Sequence, residues 1–343
     1  MAAPGVRHDW TSPRNVDTCV HTFRGTPSRR YLCGHLPGLG GHQRAHLLRH
    51  GWIDAQVPLH RDSKHLTELL CGREVADLPP HTEVPQPTSP ALSTGAAALR
   101  VSGMRAATLR DVSFTVGAGE VVGVTGRPDS GFAEIPALLA GVMPATAGTL
   151  SVGARTLSPG VISIRAAIAA GIAYVPENRT AHGLALELSQ LENLTLPRLG
   201  SHQRWWLQDG WQEAEYRQVA AELGITPPLP HLPAAALSGG NQQKLLLGKW
   251  LQNSPAVLVA HEPTQGVDVG ARRELLRALR SLARRGTGVL VATTETQDLA
   301  AVCDRVIILD DGAITRELRA PVTSHTILDA VYGRIEDLPA AAR

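Results

Sequence analysis

The sequence predicts an α/β domain whose mixed sheet is covered on both faces and is accompanied by helices. Strand-like and helix-like segments alternate from Ala96 onward. Several strand-like segments, including 256–260 and 288–292, contain only apolar residues or glycine, which is typical of strands buried on both faces. The 343 residues are enough for one large domain of this class and additional segments.

The composition excludes several classes of protein. Apolar residues make up 43% and charged residues 19%, as in ordinary globular proteins. The formal net charge is only +2 and no long run of Lys or Arg occurs, so no nucleic-acid partner is predicted. The four cysteines include no Cys-x-x-Cys pair, which argues against a disulfide framework or zinc ribbon and fits a reducing cytoplasm.

No segment has the composition of a membrane span or of a secretory signal. A membrane-spanning helix needs roughly 20 consecutive apolar residues, and no stretch approaches that length. Residues 1–11 lack the apolar core of a signal peptide. We therefore predict no signal peptide and no transmembrane segment, and any role at a membrane is expected to be peripheral.

Changes in composition divide the chain into segments. Residues 1–34 are assigned to no domain, and disorder is one interpretation of them. Residues 77–95 are dense in Pro, Ser and Thr and are predicted to form a linker. The main domain is predicted at 96–334 and is followed by a tail at 335–343.

Short apolar or β-branched runs locate the strands of the main domain, and the longer segments between them locate its helices. The predicted strands are 112–116, 120–124, 149–152, 172–175, 256–260, 288–292, 303–309 and 313–318. The predicted helices are 131–139, 164–170, 211–223, 239–252, 268–284 and 324–331.

An internal repeat links the two ends of the chain. Residues 43–73 align without a gap with residues 304–334, and seven of the 31 aligned positions are identical. We interpret residues 35–76 as the C-terminal end of a first copy of the main domain, of which the body is not found in this sequence.

A serine and two glycines open the predicted helix at 239–252. The run 237–244 reads LSGGNQQK and contains Ser238, Gly239, Gly240, Asn241 and Gln242. Free N–H groups at a helix start, together with the helix dipole, favour a phosphate. The alternative interpretation is that Ser238 is simply the N-cap of the helix.

A carboxylate follows the apolar strand at 256–260. His261 and Glu262 come directly after this strand, and Asp268 follows after a short loop. Because α/β sheets bind ligands at the C-terminal ends of their strands, Glu262 is placed to orient or deprotonate a water there. A surface glutamate after a buried strand is the alternative.

Taken in their order along the chain, the run 237–244, the strand that leads to Glu262 and the loop with Asp268 resemble three motifs of ATP-binding-cassette ATPases. These motifs are the signature motif, the Walker B strand and the D-loop. The run 174–179, with Glu177, resembles the Q-loop segment of one branch of that family. The run 266–271, which contains the D-loop, also resembles that branch. In that branch the resemblance is to the second cassette of double-cassette ATPases that energise bacterial importers of ribose, galactose, xylose and related sugars. It covers about 99–332 and implies a P-loop NTPase-like fold with a mixed sheet and a helical subdomain at about 177–250.

The phosphate loop departs from the family pattern G-x-x-x-x-G-K-[ST]. Phe132 stands in place of the lysine, Ala133 in place of the hydroxyl residue, and Asp129 adds a negative charge. Pro136 is expected about one turn inside the following helix, where an interior proline costs about 3 kcal/mol. The aligned nucleotide-contacting positions are Gly126, Asp129, Ser130, Gly131, Phe132 and Ala133.

The magnesium-binding positions are altered as well. His261 replaces the Walker B aspartate, and Mg²⁺ prefers oxygen ligands to imidazole. Glu295, in the run Thr293-Thr294-Glu295, occupies the family's switch position. ATP and Mg²⁺ are the cofactors that the resemblance implies, but no metal ligand is predicted. The histidines at 42, 46 and 50 map by the repeat onto a strand and are not predicted to bind metal either.

The resemblance implies an ATP-binding subunit of a carbohydrate import system at the cytoplasmic face of the plasma membrane. Its partners would be a membrane permease, a second cassette and, indirectly, an extracytoplasmic sugar-binding protein. Cassettes of this family dimerise head to tail, so Ser238 and Gly240 are placed to complete a partner's ATP site. Whether the chain hydrolyses ATP stays open. The alternatives are a non-hydrolysing pseudo-ATPase that acts as a binding or regulatory protein, and a decayed remnant.

Overall fold

The computed structural model of the protein describes five stretches of the chain, namely 29–33, 44–49, 52–58, 97–198 and 210–333. They belong to two units, residues 1–80 and residues 81–343, which we describe separately. The predicted linker, the predicted tail and most of the N-terminal 34 residues lie outside the described residues.

The described part of the first unit is an antiparallel sheet. Its strands, in spatial order, are β1 (Arg29–Cys33), β2 (Arg44–Arg49) and β3 (Trp52–Pro58). Two residues separate β2 from β3, and the register of this hairpin shifts between Leu47 and Leu48. β1 lies in the region to which the sequence analysis assigned no element.

A six-stranded sheet forms the centre of the second unit. All neighbouring strands are parallel except the pair at one edge of the sheet, so the sheet is mixed, as predicted. Its strands, in spatial order, are β13 (Ala313–Arg319), β12 (Arg305–Asp310), β6 (Val121–Gly126), β11 (Gly288–Ala292), β10 (Val257–His261) and β9 (Ile172–Val175).

A second, antiparallel sheet covers one face of this central sheet. Its buried residues, such as Leu99 and Val101, share an apolar cluster with Val122 and Val124 of β6. Many segments early in the domain are strands because the domain contains two sheets. The strands of the second sheet, in spatial order, are β5 (Val112–Gly117), β4 (Ala97–Arg105), β7 (Ala147–Val152) and β8 (Arg155–Leu157).

Helices cover the other face. Val121, Leu258 and Val289 point into a second apolar cluster, which is completed by leucines of the helices. The α-helices of the described residues are α1 (Glu134–Leu139), α2 (Ile164–Ala170), α3 (Gln190–Thr195), α4 (Trp211–Leu223), α5 (Gly239–Leu251), α6 (Val269–Arg284), α7 (Thr296–Val302) and α8 (Ser324–Tyr332).

Three of these helices occupy the predicted helical subdomain. A π-helical turn at Arg179–Gly183 leads towards α3, which begins with a capping box formed by Ser189 and Glu192, and α4 and α5 follow. No helix in the described stretches is long and apolar enough to cross a bilayer.

The helix after the phosphate loop is shorter than the sequence analysis predicted. α1 begins at Glu134 rather than at residue 131, so Pro136 lies in its first turn. The first four N–H groups of a helix have no partner within the helix, and a proline there removes no hydrogen bond. The expected cost of an interior proline was therefore wrong.

Candidate functional site

Three neighbouring parallel strands, β6, β10 and β11, end at the same edge of the central sheet. This edge is where open α/β sheets bind ligands. The phosphate loop (126–133) follows β6, Glu262 follows β10, and the switch segment (293–295) follows β11. These three segments form the first part of the candidate site.

The backbone of the phosphate loop makes a tight turn. The N–H of Ser130 donates to the carbonyl oxygen of Arg127 at 2.9 Å. Gly131 has a φ of +85°, which side chains rarely adopt. A Cβ at Gly126 would lie 2.4 Å from the carbonyl oxygen of Leu309. Local geometry therefore requires both framing glycines, whether or not a ligand binds.

Phe132, which stands where the family has lysine, is a core residue. Its side chain is only 3% exposed and belongs to the apolar cluster that contains Leu109 and Ile135. Burying an aromatic side chain stabilises a fold by about 1.5–3 kcal/mol. Ala133 is exposed and carries no hydroxyl. Positions 132 and 133 thus supply neither the cation nor the hydroxyl that a bound Mg-triphosphate needs there.

The charges around the loop also disfavour a triphosphate. Arg127, the cation of this loop, donates to Asp310, and this hydrogen bond raises the pKa of Arg127 above its ordinary value. Asp129 is exposed beside it, and Asp311 follows Asp310. The Ser130 hydroxyl is buried without a hydrogen-bond partner in the described part of the chain.

His261 ends β10 as a buried side chain. Its Nε2 lies 3.8 Å from Glu177 Oε2. Burial lowers the pKa of His261, although the nearby charges of Glu177 and Glu262 act to raise it. A neutral imidazole is a poor substitute for a carboxylate towards Mg²⁺. Together with Phe132 and Ala133, this residue shows that the side chains present do not fit Mg-ATP.

Glu262 is held by the switch segment. Its Oε2 accepts a hydrogen bond from Thr293 Oγ1 at 2.7 Å, and its Oε1 accepts from the N–H of Thr294 at 2.8 Å. The residue has a positive φ of +45°, which is strained for a side chain of this size. Both carboxylate oxygens are engaged, so the geometry fixes Glu262 against β11. Its role as a general base stays a prediction.

A buried carboxylate that the sequence analysis missed lies beside the switch segment. Asp298 is only 1% exposed; it accepts from Thr264 Oγ1 and, at 2.6 Å, from Arg272 Nε. Burial raises the pKa of Asp298, and these two hydrogen bonds oppose that shift. Arg272 also reaches Glu295 at 3.1 Å. The partners are 26 and 34 residues from Asp298 in sequence, so no local motif signals this cluster.

The signature segment forms the second part of the candidate site. Ser238 is the N-cap of α5, and its Oγ accepts from the N–H of Asn241 at 3.5 Å and from Asn241 Nδ2 at 2.9 Å. Asn241 Oδ1 in turn accepts from the N–H of Thr226 at 2.8 Å. The cap interpretation of Ser238 is therefore correct, and it is compatible with a phosphate at the remaining free N–H groups.

The start of α5 packs tightly against the start of α6. A Cβ at Gly240 would lie 2.6 Å from the Cβ of Ala271 and 3.5 Å from Asp268 Oδ2. Asp268 is the N-cap of α6, and its Oδ1 accepts from the N–H of Ala271 at 2.9 Å. The two helix starts that carry the signature segment and the D-loop thus form one contact surface.

Glu177 and Gln242 lie at the borders of these two parts. Glu177 Oε1 accepts from Gln265 Nε2 at 3.4 Å, and its Oε2 faces His261. Gln242 Nε2 donates to the carbonyl oxygen of Ala234 at 3.1 Å. The chain therefore brings the Q-loop segment into contact with both the Walker B strand and the loop that precedes α6.

An ATP-binding cassette is defined by a parallel sheet edge with a phosphate loop, a D-loop and a helix that begins in the signature segment. In this chain that helix is α5, which we call the signature helix. Residues 109–265 match the sequence profile of the family described as ABC transporter. We therefore assign residues 109–265, the matched part of the second unit, to the ABC transporter family.

The relatives that match most of this chain are sugar-import proteins by name. A putative ribose/galactose/methyl galactoside import ATP-binding protein of Agrobacterium fabrum is 33% identical over 294 residues, which cover 84% of this chain and 56% of that protein. A ribose import ATP-binding protein of Streptomyces coelicolor is 35% identical over 279 residues, which cover 81% and 52%. The chain spans about half the length of these relatives.

Solved structures share the fold at low sequence identity. A dimeric cassette in a post-hydrolysis state bound to ADP and phosphate has a TM-score of 0.57 at 19% identity, and the match covers 66% of this chain and all of that one. A nucleotide-free cassette has a TM-score of 0.58 at 20% identity, covering 70% and 97%. The fold of the described stretches 97–198 and 210–333 is therefore that of an ATP-binding cassette.

Proposed function

We propose that this chain is the cassette subunit of a carbohydrate import system and that it contributes its signature helix, not its own phosphate loop, to ATP hydrolysis. The names of its relatives support the first part. The contrast between Phe132, a core residue, and the capped start of α5 supports the second. Under this proposal, the ATP and Mg²⁺ are held by the phosphate loop of a partner cassette.

The proposal implies several partners. A second cassette must supply the lysine, the hydroxyl and the magnesium-binding carboxylate that this chain lacks. A membrane permease and an extracytoplasmic sugar-binding protein complete such an import system, and the cassette would act peripherally at the cytoplasmic face of the membrane. The sugar itself is chosen by those other subunits.

The first unit supports the interpretation of residues 35–76 as the end of another cassette. β2 and β3 begin and end at residues that align, by the repeat, with the ends of β12 and β13. The register shift between Leu47 and Leu48 aligns with the shift between Ile308 and Leu309. We propose that the hairpin at 44–58 derives from a duplicated cassette.

A pseudo-ATPase is the second candidate function. The two engaged oxygens of Glu262 favour it, because a glutamate fixed by Thr293 and Thr294 serves the fold rather than a water. A regulatory cassette of this kind would dock on the permease or on another cassette without taking part in hydrolysis at either site.

Calorimetry with Mg-ATP and the purified chain provides the first test. We expect no binding at micromolar ATP, because the phosphate loop lacks its cation and hydroxyl. Ordinary unaided hydrolysis by this chain would show that the proposal is wrong.

A mixed-cassette assay provides the second test. A sugar-import cassette with a complete phosphate loop but a disabled signature serine is expected to gain ATPase activity when this chain is added. Ser238→Ala should abolish most of that gain. Ser189→Ala, which removes the N-cap of α3, is the matched control and should retain it. No gain with the wild-type chain would favour the pseudo-ATPase.

A further inference from the structure

Arg179 connects three segments of the cassette. It is the last residue of the Q-loop segment and the first residue of the π-helical turn at Arg179–Gly183. Its Nη1 donates to the carbonyl oxygen of Gln265, before the D-loop, at 3.1 Å. Its Nε faces Gln242 Oε1 of the signature helix at 3.4 Å. A single guanidinium therefore joins the Q-loop segment to the signature helix and to the D-loop.

The glycine that begins α5 leaves room for this guanidinium. A Cβ at Gly239 would lie 2.6 Å from Arg179 Nη2 and 3.3 Å from the carbonyl oxygen of Gly266. A Cβ at Gly266 would lie 3.8 Å from Arg179 Nη1, which is an ordinary contact distance. The guanidinium thus lies between the first turn of α5 and the start of the D-loop.

The charge of Arg179 has no carboxylate partner in the described part of the chain. Burial lowers the pKa of this arginine, and no neighbouring charge offsets that effect. By contrast, the partly or largely buried Arg272, Arg280 and Arg305 each pair with a carboxylate. A cation between the N-termini of α5 and α6 also faces the positive ends of two helix dipoles. Stability alone therefore does not explain an arginine at this position.

We propose that Arg179 is a positioning residue, which holds the signature helix and the D-loop at a fixed separation so that a partner cassette meets both together. This inference rests on the proposed function, because the separation affects hydrolysis only if a partner uses the signature helix. Arg179 is not assigned a contact with nucleotide.

Hydrogen exchange on the intact chain tests the inference without a partner. In Arg179→Ala, backbone amides at 239–242 and 266–271 should exchange about fivefold faster or more, as the loss of one net hydrogen bond predicts. Arg179→Lys should lie between wild type and Arg179→Ala. Arg217→Ala, an exposed arginine of α4, is the control and should leave both segments unchanged. Unchanged exchange, or faster exchange in only one segment, would overturn the proposal.

The mixed-cassette assay supplies a kinetic readout that a purely structural role would not produce. In Arg179→Ala we expect kcat to fall about tenfold, a change of about 1.4 kcal/mol, with an unchanged KM for ATP and partial rescue by Arg179→Lys. If the wild-type chain stimulates the partner and Arg179→Ala stimulates it equally, the inference is wrong. If the wild-type chain gives no stimulation, the proposed function fails instead, and hydrogen exchange decides the positioning role by itself.

Discussion

The phosphate loop at 126–133 and the signature segment at 237–244 both lead into a helix, but only the signature segment keeps the residues that its motif requires. At the phosphate loop, the side chain that would meet a ligand is Phe132, and it lies in the core. At the signature segment, Ser238 and Asn241 hold the helix start in an ordered, capped form. Packing of Phe132 closes the start of α1. The start of α5 is capped and keeps backbone N–H groups available to a phosphate.

The comparison shows which parts of a motif are informative about ligand binding. Gly126 and Gly131 survive in the damaged loop because a Cβ at either would collide with neighbouring atoms. The lysine and hydroxyl positions carry no such steric requirement, and they have changed. A glycine framework therefore indicates a fold, whereas the polar side chains within it indicate a ligand.

The largest effect is expected at Phe132. Phe132→Ala should lower the free energy of unfolding by about 3–5 kcal/mol, because it removes a buried aromatic ring and leaves a cavity. Chemical denaturation measures the loss. Ala133→Ser, at the exposed neighbouring position that is the N-cap of α1, is the control and should not lower stability. Equal stability of Phe132→Ala and wild type would show that the ring is not part of the core.

The next effect concerns the packing of the signature helix. Gly240→Ala should destabilise the domain by about 1–2 kcal/mol, because its Cβ would meet Ala271 and overpacking outweighs the better helix propensity of alanine. In an Ala271→Gly background, where the collision is removed, Gly240→Ala should cost much less than it does in the wild-type chain, and thermal unfolding of all four proteins measures the difference. An equal cost in both backgrounds would mean that the two helix starts are not in contact.

A pH dependence is expected on the phosphate-loop side. Burial lowers the pKa of His261, so the folded state binds this proton less readily than the unfolded chain does. The stability contributed by neutral His261 is present above its ordinary pKa of 6.5 and is lost as the pH falls through its lower folded value. His261→Gln should therefore lose less stability than wild type when the pH falls from about 7 to about 5. His231→Gln, at an exposed histidine, should follow wild type.

The smallest effect is expected at the ion pair beside the phosphate loop. Asp310→Asn frees Arg127, but exposed pairs contribute little to stability, so the unfolding midpoint should hardly change. Calorimetry should still detect no Mg-ATP binding, since Phe132 and Ala133 remain. Binding by this variant would show that Asp310, rather than the absence of the lysine, prevents the phosphate loop from binding Mg-ATP.

The sequence predicted the elements whose signals are local. The helices α2 and α4 and the strands β9 and β11 have the predicted bounds, because each is set off by glycine or by an N-cap residue. The helix α1 was predicted too long, since the tight turn of the phosphate loop extends to Ala133. The short helices α3 and α7 were not predicted at all, because six or seven residues give little periodicity.

The candidate site was predictable where residues act within a motif. The cap at Ser238 follows from its position before a predicted helix. Asp268 was predicted as the first residue of a helix, and it is instead the N-cap of that helix. The hydrogen bonds from Thr293 and Thr294 to Glu262, and the contacts of Asp298 and Arg179, join residues that are dozens of positions apart. Such contacts depend on how strands and helices are brought together, and no spacing within one segment reveals them.

The proposed duplication of the hairpin has a consequence for how this fold can evolve. Asp311 and Gly312, the two residues that join β12 to β13, both have positive φ, as a type I′ turn requires, and two residues also join β2 to β3. β12 lies beside the parallel strand β6, whereas β2 pairs with the antiparallel strand β1. The register within the hairpin is the same beside a parallel strand and beside an antiparallel one. The residues of the hairpin itself therefore determine how its two strands pair. Such a segment is a transferable folding unit, which gene rearrangement can separate from its parent sheet without scrambling its strand pairing.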